Sequence, residues 1–136
     1  MIERAQGLSV RDARTEDLFR RAVDLYQGDF LPQLNGEWID SYRERLSEAY
    51  LDSMVGLGRC AHARRDLPQA LRLFKQALKL DPFHEEVHRL IMSCYAERGE
   101  RQKVYLHLKQ MQQLFRDELA VEPTRETIQH ARSLLS

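Results

Sequence analysis

The chain has 136 residues, which is enough for one domain that buries roughly two-thirds of its surface on folding. Its 21 basic side chains are balanced by 21 acidic ones. This balance argues against a stand-alone nucleic-acid or membrane binder, because such proteins carry a basic excess. The sequence shows no apolar run of ~20 residues, no signal peptide and no closely spaced cysteines, so we expect a cytoplasmic protein.

The predicted elements are all helices, because apolar residues recur at helical spacing and period-two strand patterns are nearly missing. The first helix covers about Thr15 to Tyr26, and an apolar, turn-rich stretch follows it as far as Gly36. Five further helices are predicted in chain order, over residues 37–65, 67–80, 82–98, 101–119 and 123–135. Acidic and basic residues are mixed along every helix, so we expect each basic strip to face nearby carboxylates.

Capping residues mark the ends of the later helices. Asp66 is the expected N-cap of the third helix. Asp81 followed by Pro82 predicts the start of the fourth, because aspartate caps helices and proline is tolerated in the first turn. Gly99 is expected to end the fourth helix in a left-handed conformation.

A repeat of ~34 residues places Leu51–His84 over Glu85–Glu118 and aligns Cys60 with Cys94. The first copy matches the tetratricopeptide pattern, with small residues where helices cross and a proline closing the hairpin. The second copy is degenerate, since Met92 replaces the glycine. We therefore predict an all-α, tetratricopeptide-like α-solenoid of about three antiparallel helix hairpins. The residues expected to hold it together are Trp38, Gly58, Ala70, Phe74, Ala77 and Pro82.

Several spaced motifs resemble the bacterial transcriptional activator domain. They are YQGDFLP (26–32), EW (37–38), RERL (43–46), DPFHEEVHRLIM (81–92), AERGER (96–101) and LAVEPTRET (119–127). This domain is the tetratricopeptide-like module beside the winged-helix DNA-binding domain in streptomycete antibiotic regulatory proteins and similar activators. The resemblance covers about Thr15 to Leu135, so we expect an N-terminal extension over residues 1–14 and the domain over residues 15–136.

The resemblance implies a regulatory, protein-contacting role in bacterial transcription rather than an enzyme activity. No winged-helix segment is recognisable in this sequence, so DNA binding is expected to come from a domain absent from this chain. The expected partner is a protein: the regulator's own neighbouring domain, a second copy in a homodimer, or RNA polymerase. Neither nucleic acid nor a membrane is expected to contact this fragment directly. A tetratricopeptide scaffold unrelated to transcription is an alternative.

The resemblance to tetratricopeptide repeats implies a protein-binding groove lined by the first helix of each hairpin. The alternative is that these positions are solvated polar residues of a helix surface. The groove positions are Asp52, Val55, Arg59 and His62 in one unit, and Glu86, Arg89, Ser93 and Glu97 in the next.

The string His84-Glu85-Glu86-Val87-His88 fits the H-E-x-x-H signature of zinc metalloproteases. In that signature two histidines one helical turn apart bind the metal, and the glutamate is the general base. A small zinc hydrolase using His84, Glu85 and His88 is therefore a second alternative. No third ligand follows at the metalloprotease spacing, and no strand is predicted to align a substrate. We expect a helix start with both histidines on the helix surface or in the groove, and no catalytic residue, metal or cofactor.

Overall fold

The computed structural model describes residues 16, 17, 19, 20 and 37–136, with side chains in the first long helix described from residue 44 onward. These residues are all-α, as predicted, with no strand among them. Positions 16, 17, 19 and 20 are helical, while the rest of the first predicted helix and the side chain of Trp38 lie outside the described residues. The remaining helices are α1 (Glu37–Ala63), α2 (Leu67–Leu80), α3 (Glu85–Glu97), α4 (Arg101–Leu119) and α5 (Arg125–Leu135).

Most helix ends lie at or near the predicted residues, because the capping signals act locally. Asp66 caps α2 as predicted, since its Oδ1 accepts a hydrogen bond from the backbone N–H of Gln69 at 3.3 Å. Gly99 ends α3 in the left-handed region with a φ of 76°. The backbone N–H of Glu100 then donates to the carbonyl of Tyr95 at 2.9 Å, which is the long bond of a Schellman motif.

The predicted start of α3 at Asp81 and Pro82 is wrong. Asp81 Oδ1 accepts from the backbone N–H of Phe83 at 3.1 Å, and its carbonyl accepts from the N–H of His84 at 3.2 Å. These bonds close a turn around the proline, and the helix begins only after it. His84 is the N-cap, with Nδ1 accepting from the N–H of Val87 at 3.3 Å. An aspartate before a proline also favours a turn, and here Asp81 forms a turn instead of capping the helix.

The chain divides into two compact units, and the boundary lies inside α2 between Leu73 and Phe74. In the first unit, the ring of Phe19 packs on α1 at Gly56 and is 2% exposed. A Cβ atom at Gly56 would overlap that ring, so the glycine is what allows the close approach. Glu16 pairs with Arg64, just beyond the end of α1.

The second unit is built from the end of α2 and from α3, α4 and α5, and the last three helices pack against one another. The apolar stripes predicted for α3 and α4 are largely buried, although Leu119 is 44% exposed because α4 ends immediately after it. The largest fully buried side chains in this unit are Phe74, Val87, Ile91, Met92, Cys94, Val104, Met111 and Thr127.

The residues predicted to hold the repeats together differ in burial. Gly58, Ala70, Phe74 and Ala77 are all buried, which fits the small and aromatic positions of a tetratricopeptide unit. Pro82 is exposed in the turn before α3, where its fixed backbone shapes the connection rather than the core.

Candidate functional site

The predicted groove positions of the first unit lie along α1. Their spacing places Asp52, Val55, Arg59 and His62 on one helical face. Asp52 is exposed, Arg59 and His62 are half-buried, and Val55 is buried at 9% exposure. Val55 is therefore the least exposed side chain of this face, and its exposed and half-buried side chains are polar.

The predicted groove positions of the second unit lie on α3, and two of them contact the C-terminal helix. Arg89 Nη1 donates to Thr127 Oγ1 at 2.8 Å, and Ser93 Oγ lies 2.8 Å from His130 Nε2. Glu97 is exposed. The chain's own α5 thus lies along the middle of the α3 face that the repeat pattern assigned to a partner.

Glu85 fastens the start of α5 to the start of α3. Its Oε1 accepts hydrogen bonds from Thr127 Oγ1 at 2.7 Å, from the backbone N–H of Thr124 at 2.8 Å and from Thr124 Oγ1 at 2.9 Å. Burial alone would raise the pKa of Glu85, but these hydrogen bonds and the nearby Arg89 guanidinium lower it below its ordinary value. Glu85 therefore acts as an anionic cap on a neighbouring helix.

His88 is a buried core residue, so the expectation of a surface or groove histidine is wrong for this position. It is 4% exposed, and its Nε2 donates to the carbonyl of Pro82 at 2.8 Å. Since Nε2 carries the proton in the neutral ring, Nδ1 is the acceptor, and His107 Nε2 donates to it across 2.8 Å. Both ring nitrogens of His88 are therefore engaged with protein atoms.

The two rings lie in an apolar environment that disfavours positive charge. Burial, the neighbouring His88 and Lys75 lower the pKa of His107 to about 4. Burial also lowers the pKa of His88, although the Pro82 carbonyl opposes this shift. A cavity of about 260 Å³ adjoins the pair and is lined by Leu78, Pro82, His88, His107, Gln110, Met111 and Leu114. The pair is a neutral polar bridge between α3 and α4.

The H-E-x-x-H string does not assemble the metalloprotease arrangement. His84 Nδ1 caps α3, His88 bridges to α4, and Glu85 binds α5, so the three side chains serve three different contacts. Among the described residues, no three His, Cys, Asp or Glu side chains come together in a way that could hold a metal ion.

Both cysteines are buried, at 1% exposure or less. Burial raises the pKa of Cys94 to about 11, and burial and the nearby Glu16 raise that of Cys60. Thiols of high pKa are poor nucleophiles at neutral pH, so both are packing residues.

One end of the second unit is basic and partly apolar. It comprises the end of α3, the start of α4 and the end of α5, and we call it the basic end. Its exposed cations are Arg98, Arg101, Lys103 and Arg132, beside Glu97 and the half-buried Glu100. Glu100 pairs with Arg98 at 2.8 Å and with Lys103 at 2.6 Å. A concave surface of about 490 Å³ at this end is lined by Arg101, Gln102, Tyr105, Leu106 and Leu135.

The opposite end is acidic, and we call it the acidic end. Its exposed carboxylates are Asp117, Glu118, Glu122 and Glu126, around the exposed Leu119 and Val121. Arg116 and Arg125 are exposed there as well, but Arg116 is paired with Glu122 at 2.5 Å. Antiparallel packing therefore gives each end an excess of one sign, although cations at both ends still face nearby carboxylates, as expected.

The charges of α4 oppose its helix dipole. Arg101 and Lys103 lie in its first turn, which has no acidic residue, and its last turn holds Asp117 and Glu118 beside the single basic residue Arg116. Each such charge costs roughly 0.3–1 kcal/mol of helix stability at an exposed position. In α3 two acidic residues, Glu85 and Glu86, lie in the first turn, where the dipole favours them. Local helix stability therefore does not explain the charges of α4.

The model of the bacterial transcriptional activator domain family matches residues 3–135. The chain belongs to this family. It is a family of regulatory domains rather than of enzymes, so the domain is a module of a transcriptional regulator. No curated protein and no solved structure gave a significant match to the chain. The match begins before residue 15, and the proposed boundary between an N-terminal extension and the domain stays a prediction.

Across the part of the chain that the structure describes, no helix has both the length and the hydropathy of a membrane span.

Proposed function

We propose that this domain is a protein-interaction module of a bacterial transcriptional regulator, and that another domain makes the regulator's DNA contacts. Its partner is a protein: a neighbouring domain of the same regulator, a second copy, or RNA polymerase. Membership of the regulatory family supports the role in transcription.

The observation that carries the interaction role is the concave surface at the basic end. Tyr105 and Leu106 are 50% and 55% exposed there, and Leu135 lines the same surface. Exposed tyrosine beside arginine is typical of protein interfaces, where aromatic and arginine side chains supply much of the binding energy, and the leucines add apolar area that a partner can bury. Duplex DNA is bound mainly through cations that neutralise phosphates, and leucine contributes nothing to that term.

The predicted groove on α3 is a weaker candidate for the same role. Arg89 and Ser93 already bind α5, so a partner on that face would have to displace the helix or bind beside it. Glu86 and Glu97 flank the covered positions. The basic end needs no such displacement, because its apolar side chains are exposed in the domain as it stands.

A titration with duplex DNA tests the proposal. Residues 1–136 are added to a fluorescent 30-base-pair duplex at ~0.1 M salt, and anisotropy is recorded up to ~50 µM protein. We expect no saturable binding, and the same result for Arg101→Glu. Micromolar binding by the wild-type chain that is lost in Arg101→Glu would show that the basic end is a DNA surface and would overturn the proposal.

A further inference from the structure

We propose that copies of this domain associate head to tail, with the basic end of one copy docked on the acidic end of the next. This inference rests on the interaction role proposed above and names the partner as a second copy of the chain. Both binding surfaces are present in each molecule, and they are complementary in charge and alike in carrying exposed apolar side chains.

The first argument is the sorting of charge between the two ends. Exposed cations dominate where α4 begins, and exposed carboxylates dominate where it ends. The order of charges on α4 opposes its own dipole, so these residues lower the stability of the helix that carries them. Lys103 gains an ion pair with Glu100, but Arg101 and Glu118 have no such local gain, and residues of that kind are expected at functional surfaces.

The second argument is that each end also exposes apolar side chains. Tyr105 and Leu106 are exposed at the basic end, and Leu119 and Val121 are 44% and 52% exposed at the acidic end. Burying these four side chains against each other removes apolar surface from water at both ends at once. Charge then orients the two copies and disfavours contacts between like ends.

The third argument is geometric. Tyr105 and Leu119 are fourteen positions apart on α4, which corresponds to about 21 Å along the helix axis. One molecule cannot bring its own two ends together across a straight helix. A contact between two different surfaces leaves one free surface of each kind, so association continues beyond the dimer unless the chain of copies closes into a ring.

Light scattering on the full chain tests the inference. The weight-average mass is measured from ~10 µM to ~1 mM, a range suited to a small interface that binds weakly. We expect the mass to rise past that of a dimer at low salt. It should fall towards the monomer when salt is raised from ~0.05 M to ~1 M, because screening weakens the charge attraction between exposed groups.

A pair of charge reversals makes the test specific. Arg101 and Glu118 are exposed at opposite ends, and no hydrogen bond or ion pair within the described residues depends on either. Arg101→Glu removes the excess of positive charge at the basic end, and Glu118→Arg removes the excess of negative charge at the acidic end. We expect each variant alone to associate at least ~10-fold more weakly than wild type. An equimolar mixture should associate more strongly than either variant alone, since an alternating chain joins two unaltered ends at every second contact and pairs the two reversed charges at the others.

Matched controls reverse exposed charges in the first unit. Arg45→Glu and Glu48→Arg make the same charge changes on α1, which contributes no residue to either end, and should leave association unchanged. Melting curves for all four variants check that the fold is intact.

Three results would overturn the inference: a monomer throughout the concentration range, a mass that stops at the dimer, or a mixture no stronger than its components. A monomer that also fails to bind DNA overturns this inference alone. DNA binding in the anisotropy titration overturns the interaction role instead, so the two failures are distinguishable.

Discussion

At two helix ends, a residue adopts a backbone conformation that its residue type disfavours. Three described residues have a left-handed backbone, and only Gly99 is the residue type that adopts it without strain. Arg65 and Ala120 adopt it after α1 and α4, with φ values of 67° and 57°. Each follows a helix whose last carbonyls need N–H partners, so hydrogen bonding at the helix end outweighs the strain.

Ala120→Gly is therefore expected to stabilise the domain by about 0.5–1 kcal/mol, because glycine relieves the left-handed strain and loses part of that gain in chain entropy. Gly99→Ala is the matched reverse change. A Cβ atom at Gly99 meets nothing within 4 Å, so its expected cost of about 1 kcal/mol is backbone strain alone. Urea denaturation of both variants measures the free energies of unfolding. A destabilised Ala120→Gly would contradict this account of the α4 terminus.

The His88–His107 pair makes stability depend on pH at the residue scale. Both pKa values are lower in the folded state, so the unfolded chain binds more protons in mildly acidic solution. The contribution of the pair is thus complete above the ordinary histidine pKa of 6.5. It is lost as the pH falls from there towards about 4, the pKa of His107.

We expect the free energy of unfolding to fall by as much as about 3 kcal/mol across that interval. His107→Gln is the control, because its amide can still donate to His88 Nδ1 but does not titrate. Urea midpoints at several pH values should show a shallower slope for this variant. An unchanged slope would mean that other groups cause the loss of stability in acid.

At the scale of whole elements, α5 is held by several polar contacts in addition to apolar burial. Thr127 and Ala131 are its fully buried side chains, and Glu85, Arg89 and Ser93 bind it through hydrogen bonds. A short helix fastened in this way depends strongly on a few buried polar groups, because each of them loses its partner when the helix detaches.

Glu85→Ala is expected to lower the free energy of unfolding by about 2–3 kcal/mol, since it removes three hydrogen bonds to one carboxylate oxygen. Glu126→Ala is the matched control, because that side chain is 79% exposed and its ion pair with Arg89 spans 4.0 Å. Its effect should stay within about 0.5 kcal/mol.

Amide hydrogen exchange should show faster exchange in α5 of Glu85→Ala than in α3 or α4. Wild-type protection of α5 in that variant would show that apolar packing alone holds the helix.

At the scale of the whole molecule, the formal net charge of zero does not indicate that the second unit has two ends of opposite charge. Antiparallel packing brings the acidic starts of α3 and α5 beside the acidic end of α4. Acidic and basic residues that alternate along the sequence are therefore partly separated in space. A charge sum describes solubility and says little about where a partner binds.

Stability of the whole molecule is also expected to be independent of metal. His84, Glu85 and His88 each serve a separate protein contact, and unfolding should not release an ion from them. A chelator such as EDTA should leave the melting temperature unchanged, and elemental analysis should find less than one zinc per chain. One tightly held zinc per chain, with a chelator-sensitive melt, would restore the hydrolase alternative.

The helices, most of their ends and the family could be predicted from the sequence alone. These depend on residues close together in the chain: apolar spacing within a turn or two, Asp66 before α2, Gly99 after α3, and short motifs in order. The start of α3 was missed because Asp81 and Pro82 serve a turn as well as they would serve a cap.

The roles of the polar side chains depend on tertiary packing and could not be predicted from the sequence. Glu85 accepts a hydrogen bond from Thr127, which lies 42 positions later in the sequence. Ser93 is hydrogen-bonded to His130, 37 positions later, and His88 to His107, 19 positions later. Each is a polar residue on an amphipathic helix, and its position in the sequence does not indicate which other helix will pack against it. Whether it is a metal ligand, a groove residue or a core bridge depends on desolvation and on partners, and only packing supplies both.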